Sequence, residues 1–275
     1  AARPDDSGDG LSWSTAKKPL QASLNTAGTN DQTWVKKGNY HPTVEHGGSG
    51  SRFESFQLKN TIDLYGGFSG TEENLSERDI SLNPTILSGD LNGDDGTASK
   101  NTDDNCYHVF YHPEGLGVTT KTLIDGFTIT GGNADGEGEH GHGAAFYNIQ
   151  NHVKFFNMTI QDNEALGNGA GFYFEHSFPE LENCIIKQNS AMAGAAIFAA
   201  DSTHLTLVNC LIADNQASSG GAGIKAVTST GEIINATIVG NESAGNGGGI
   251  ALLDGSDLDF KNRIVYLNEA VCGNQ

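Results

Sequence analysis

The chain has 275 residues and carries 15 Lys and Arg against 34 Asp and Glu, a formal net charge of −19. It is long enough to bury a large core without disulfides, and its few basic residues are too scattered to neutralise nucleic-acid phosphates. Glycine is frequent at 37 residues and proline scarce at 6, without the glycine period of collagen, and no run of 18 apolar residues could span a membrane as a helix.

The start, Ala-Ala-Arg-Pro-Asp-Asp, suits a mature end left by signal cleavage. Leu20, Leu24 and Ala27, within Ser14–Ala27, fall at helical spacing and predict a short amphipathic helix. Strand patterns follow at Thr33–Tyr40, Thr61–Phe68 and Thr85–Gly89. Next comes Asp90-Leu-Asn-Gly-Asp-Asp-Gly96, in which Asp90, Asn92, Asp94 and Asp95 set oxygen donors around a glycine turn. Such a loop suits Ca²⁺, a hard cation that takes six to eight oxygens, although Asn101 stands where an EF-hand has its Glu. Asp5-Asp-Ser-Gly-Asp-Gly10 is a weaker version. Gly131–Gly143 is a glycine-rich excursion holding Asp135, Glu137, Glu139, His140 and His142. Its His-x-His pair with nearby carboxylates could bind a transition metal or act in acid–base chemistry; the default for such a segment is a mobile surface loop.

From there the chain repeats itself. Asn157, Asn183, Asn209, Asn235 and Asn262 recur at intervals of 26, 26, 26 and 27, each opening a short apolar run. A second series, Asn163, Asn189, Asn215, Asn241 and Asn268, keeps the same spacing. Gly126-Phe-Thr-Ile129 is an earlier copy, 31 residues ahead. Each unit holds short runs of alternating apolar and polar residues between Gly, Asn, Ser and Asp clusters, so stacked strands joined by tight corners are expected: an all-β solenoid with parallel rungs about 4.8 Å apart. Ile160, Ile186, Ile212, Ile238 and Val265 should form one interior ladder, with the second Asn series bonded from rung to rung. A leucine-rich repeat also ends in Asn, but Gly-Gly-Ile stands here where that repeat has a leucine-bearing helix. The whole chain reads as one β-helix domain over 1–275: a capping segment and irregular first rungs over 1–121, then regular rungs over 122–275.

The motifs Ile186-Lys-Gln-Asn189, Gly221-Ala-Gly-Ile224 and Gly247-Gly-Gly-Ile250 resemble the repeats of chlamydial polymorphic outer-membrane proteins, over roughly residues 122–272. The helix followed by strand-Gly-x-Tyr at the start is similar to the entry of pectate-lyase-like β-helices. The resemblance implies a right-handed single-stranded parallel β-helix with an N-terminal capping helix, in a family that includes adhesins and surface proteins. The solenoid end would otherwise expose strand edges and apolar cross-section.

Cys184 and Cys210, one period apart, should stack as small apolar core residues or, with favourable geometry, as a disulfide. Phe155, Phe156, Phe172, Phe174, Phe178 and Phe198 are expected in the core, an exposed stripe for sugar stacking being the alternative. For catalysis, Asp162 and Asp214 with Asp135 could share a face, but Gln188 interrupts them, and none of Arg3, Arg52, Arg78 and Arg263 recurs beside a Lys as a lyase of acidic polymers would need. The sequence therefore favours an extracellular or bacterial cell-surface protein, structural or adhesive, whose partner is a polysaccharide or cell-surface ligand and not nucleic acid, with Ca²⁺ as a cofactor. Polysaccharide lyase or glycoside hydrolase activity is the alternative. The last unit stops at Val271-Cys-Gly-Asn-Gln275, so sequence removed beyond it or end-to-end self-association through that uncapped rung is a further expectation.

Overall fold

Strands of two to six residues cannot bury their apolar face alone, and here they do so by coiling. In a computed structural model, which describes residues 7–96 and 101–271, each turn contributes one strand to each of up to four parallel sheets. Sheet I runs from Gln32–Lys36 to Asp257–Lys261 and sheet II from Gly38–Tyr40 to Ile264–Tyr266, with eight strands each. Sheet III runs from Asn133–Ala134 to Glu269–Ala270 and sheet IV from Phe110–His112 to Ile250–Leu253, with six each.

The corners are set by residues that tolerate positive φ. Asn157, Asn183, Asn209, Asn235 and Asn262, at φ of 50° to 55°, turn the chain from sheet I into sheet II. Asp162, Gln188 and Asp214 do the same before sheet III, at φ of 54° to 56°. Asn and Asp are the side chains that visit this region most readily, which explains the first Asn series. Asp162 and Asp214 therefore share a column, as their spacing suggested, but as corner residues.

The interior is a set of ladders. Ile160, Ile186, Ile212 and Ile238 are in register on sheet II and fully buried; Val265, next in line on the last rung, is 47% exposed. Phe146, Phe172, Ile197 and Ile224 line sheet IV from inside. Behind sheet III the space narrows, and Ala134, Ala165, Ala191 and Ala217 with Ala144, Ala170, Ala195 and Ala222 form a separate alanine-lined core. The core ladders hold Phe155, Phe172 and Phe174; Phe156 is only half-buried. Two expected members lie elsewhere: Phe178 is 49% exposed beside the His152 ring, and Phe198 points outward onto Tyr173.

The second Asn series lies inside. Asn189 Oδ1 accepts the backbone N–H (3.2 Å) and side-chain amide (3.0 Å) of Asn163, while its own amide reaches Asn215 Oδ1 (3.0 Å) and the Ile160 and Lys187 carbonyls (both 3.0 Å). The pattern repeats through Asn241 to Asn268, so a column of buried amides is satisfied by its neighbours and by the corner backbone. Cys184 and Cys210 are buried free thiols, as is Cys106.

At the N-terminal end, helix Leu20–Thr26 buries Leu20, Gln21 and Leu24. Leu20 and Leu24 join the core that includes Val35 and Leu64. Gln21 pairs with both backbone groups of Gln57, accepting its N–H (2.9 Å) and donating to its carbonyl (3.1 Å), which completes the cap. No helix among the described residues is long and apolar enough to cross a membrane.

Candidate functional site

Among the described residues several regions outside the ladders carry chemistry. The first is a groove of about 590 Å³ on the outer face of sheet III. Because strand residues alternate, Ala165, Ala191 and Ala217 point in, while Glu164, Ser190 and Gln216, paired in register, face out. Leu166 and Met192, 70% and 42% exposed, stand beside that column. Thr102, Asn133 and Asp135 complete the lining at one end. Asn133 is fixed there by donating to the Thr102 carbonyl (3.0 Å), and Asp135 by Arg52, whose Nη2 lies 2.5 Å from its carboxylate. Of the expected carboxylates, Asp135 lies in the groove; Asp162 and Asp214 are not among its lining residues.

The second region is the 131–143 excursion, which is packed where a mobile loop was the default expectation. It contains a 3-10 turn at Gly138–Gly141. Tyr111 donates to Glu139 Oε1 (2.8 Å), and the Phe53 and Tyr107 rings lie 5.0 and 5.4 Å from that of His140. The two histidines have different partners. His108 Nδ1 meets the Gly143 carbonyl (3.0 Å), so it carries the hydrogen, and His108 Nε2 must accept from His140 Nδ1 (3.1 Å). His140 thus turns Nε2 outward, 3.8 Å from Glu139 Oε1. His142 instead uses Nδ1 to accept the Asn168 N–H (2.9 Å). The two rings are thus engaged through Nδ1 with different partners, His108 for one and the Asn168 backbone for the other. Burial pushes the pKa of His108 down to about 3, so this ring is neutral in the folded protein.

Beside that loop, Tyr111, Tyr147, Tyr173 and Phe198 stack on the outside of sheet IV, with centroids 5.4 to 5.5 Å apart and planes within 15°. The sequence reading missed this column, although the dipeptides Phe146-Tyr147, Phe172-Tyr173 and Ile197-Phe198 recur at the rung spacing. Ring faces turned to one another leave only edges free, so the column is no platform for sugar rings. Tyr173 donates to Glu175 (2.8 Å), whose carboxylate lies with His176 and Asp201 in a cluster of ligand-type atoms.

The third region is the acidic loop after Thr85–Ser88. Asp90 and Asp94 come together as their spacing suggests, and they are joined by Asp104. Asn92 contributes its backbone N–H to Asp104 (3.0 Å), and Asp95 accepts from Asn105 (2.9 Å). The weaker acidic run at 5–10 lies partly outside the described residues.

A family model described as right handed beta helix region matches residues 92–242, more than half of the chain. The chain belongs to that family. Membership fixes the hand of the coil and accords with the parallel register of all four sheets of this β-helix. No curated protein matches the chain.

Proposed function

We propose that this β-helix is an extracellular protein of a bacterial surface that binds a neutral polysaccharide along the outer face of sheet III. The groove carries the reading. Its hydrogen-bonding groups, Glu164, Ser190 and Gln216, recur once per rung, about every 4.8 Å, which suits an extended polymer lying along the axis. Leu166 and Met192 offer apolar surface to the C–H faces of sugar rings. Among the described residues no Lys or Arg lines the groove, and Arg52, which approaches it, is committed to Asp135. A polyanion would meet Asp135, Glu164 and a net charge of −19, which disfavours a lyase of acidic polymers. The acidic composition and the likeness of the repeats to outer-membrane surface proteins support the location.

A second reading, hydrolysis, is favoured by one observation: Asp135 and Glu164, two carboxylates, lie in the same groove, and glycosidases work with such pairs. One experiment separates the two. The protein is run through gels containing neutral or anionic polymers, and polymer size is measured after incubation. Binding predicts retardation by a neutral polymer of unchanged length, with Gln216→Ala and Ser190→Ala each weakening retention about fivefold, one hydrogen bond's worth. Shortening of the polymer, lost in Glu164→Gln, would move the assignment to a hydrolase. Absence of retardation by every neutral polymer would remove the reading.

A further inference from the structure

The connection from Gly89 to Tyr107 gathers carboxylates at a site unrelated to the ladders. Ligand oxygens of Asp90, Asp94 and Asp104 lie within 4.8 Å of one another. Asp90 is held by the N–H groups of Gly93 (2.7 Å), Asp94 (3.2 Å) and Asp95 (3.2 Å), and Asp104 by that of Asn92. Among the described residues no Lys, Arg or His forms an ion pair with any of the three, or with Asp95 beside them.

An independent observation points to a missing cation. Asn105 is 1% exposed; its amide nitrogen donates to Asp95, the neighbour of Asp94, while its Oδ1 is buried with no hydrogen-bond partner. A buried amide oxygen without a donor costs roughly 1–3 kcal/mol, and like charges this close repel. One positive ion resolves both.

We propose that Asp90, Asp94 and Asp104 bind a single Ca²⁺, with the Asn105 amide oxygen as a further ligand. Calcium bonds oxygens at about 2.3–2.6 Å, so ligands on opposite sides stand about 4.6–5.2 Å apart, and the observed spread fits. An all-oxygen set disfavours zinc, which is bound through nitrogen and sulfur in structural sites, and Mg²⁺ demands a tighter octahedron. The ion ties the loop to the solenoid. The Asn105 carbonyl accepts from Arg52 Nε (2.8 Å), and Arg52 also donates to the Asn133 carbonyl (3.0 Å). Through Thr102 the same loop walls the sheet III groove, yet the proposal stands whether or not that groove binds glycan.

The test uses the full chain freed of metal with EGTA. Titration with CaCl₂ is followed by calorimetry, and thermal unfolding is recorded in CaCl₂, MgCl₂ and EGTA. The account expects one saturable site, in the range of about 10⁻⁵–10⁻³ M, and a higher midpoint in calcium than in magnesium or EGTA. Asp104→Asn and Asp94→Asn should each weaken binding at least about tenfold, because affinity follows ligand charge, while Asp259→Asn on the far sheet leaves it unchanged. The wild-type comparison stands even if a variant folds poorly. No saturable heat and equal midpoints in calcium and EGTA would overturn the site, as would unchanged calcium binding in both loop variants.

Discussion

Two asparagine series with one spacing do different work. Asn209 turns a corner at φ 55° and is exposed, whereas Asn215, six residues on, is fully buried and bonded on both sides. Substitution should separate them. Asn209→Gly is expected to be close to neutral and Asn209→Ala to cost about 1 kcal/mol, the penalty of a Cβ in the left-handed region. Asn189→Ala removes an amide that serves Asn163, Asn215 and two carbonyls, and should cost at least about 3 kcal/mol. Denaturant unfolding of the three variants reads the difference; equal losses at the two sites would contradict it. The sequence shows that both series repeat, but not which points inward. Which one does is settled by where the chain turns: a residue at positive φ between two strands has its side chain outside the coil.

At the scale of elements, the ladders were legible and the outer faces were not. A period of 26 residues puts Ile160 over Ile186 without further knowledge, since stacking in a solenoid is nearest-neighbour. Which column faces a concavity depends on non-repeating segments: Asp104 and Thr102 arrive from a long loop, and Arg52 from a connection in the first rungs. Asp135 was legible as a site residue, whereas Glu164, Ser190 and Gln216 are unremarkable in sequence. The tyrosine column stayed hidden because each member follows a core residue, and attention to the inward partner obscures the outward one. Sheet III also has a narrow interior. Ala191 sits in the alanine-lined core at 6% exposure, so Ala191→Leu should cost at least about 1–3 kcal/mol by overpacking, whereas Met192→Leu on the outer face should change stability by less than about 0.5 kcal/mol. Thermal unfolding of both compares the two faces of one strand.

For the whole molecule, buried neutral histidines set the acid limit. Besides His108, His112 is fully buried, accepting the Leu58 N–H (3.1 Å) and facing Asn148 Oδ1 (3.2 Å). Burial lowers its pKa to about 4. Both folded values lie below the ordinary 6.5. The unfolded chain therefore takes up protons first as pH falls, and stability present above pH 6.5 is lost between there and about pH 3–4, at up to ~1.4 kcal/mol per pH unit for each histidine. His112→Asn should flatten the fall of the unfolding midpoint with acid; an unchanged slope would remove His112 from the account. The inward column of sheet II ends on Val265, 47% exposed, whereas helix Leu20–Thr26 packs Leu20 and Leu24 into the core at the first rung.

The neutral polysaccharide proposed as ligand would lie along the outer face of sheet III. Hydrogen exchange of the protein with and without a saturating neutral polysaccharide measures this directly. Added protection at 164–166, 190–192 and 216–218, with sheets I and II unchanged, is the expected footprint. Protection elsewhere with sheet III unaffected, or no difference at saturation, would contradict it.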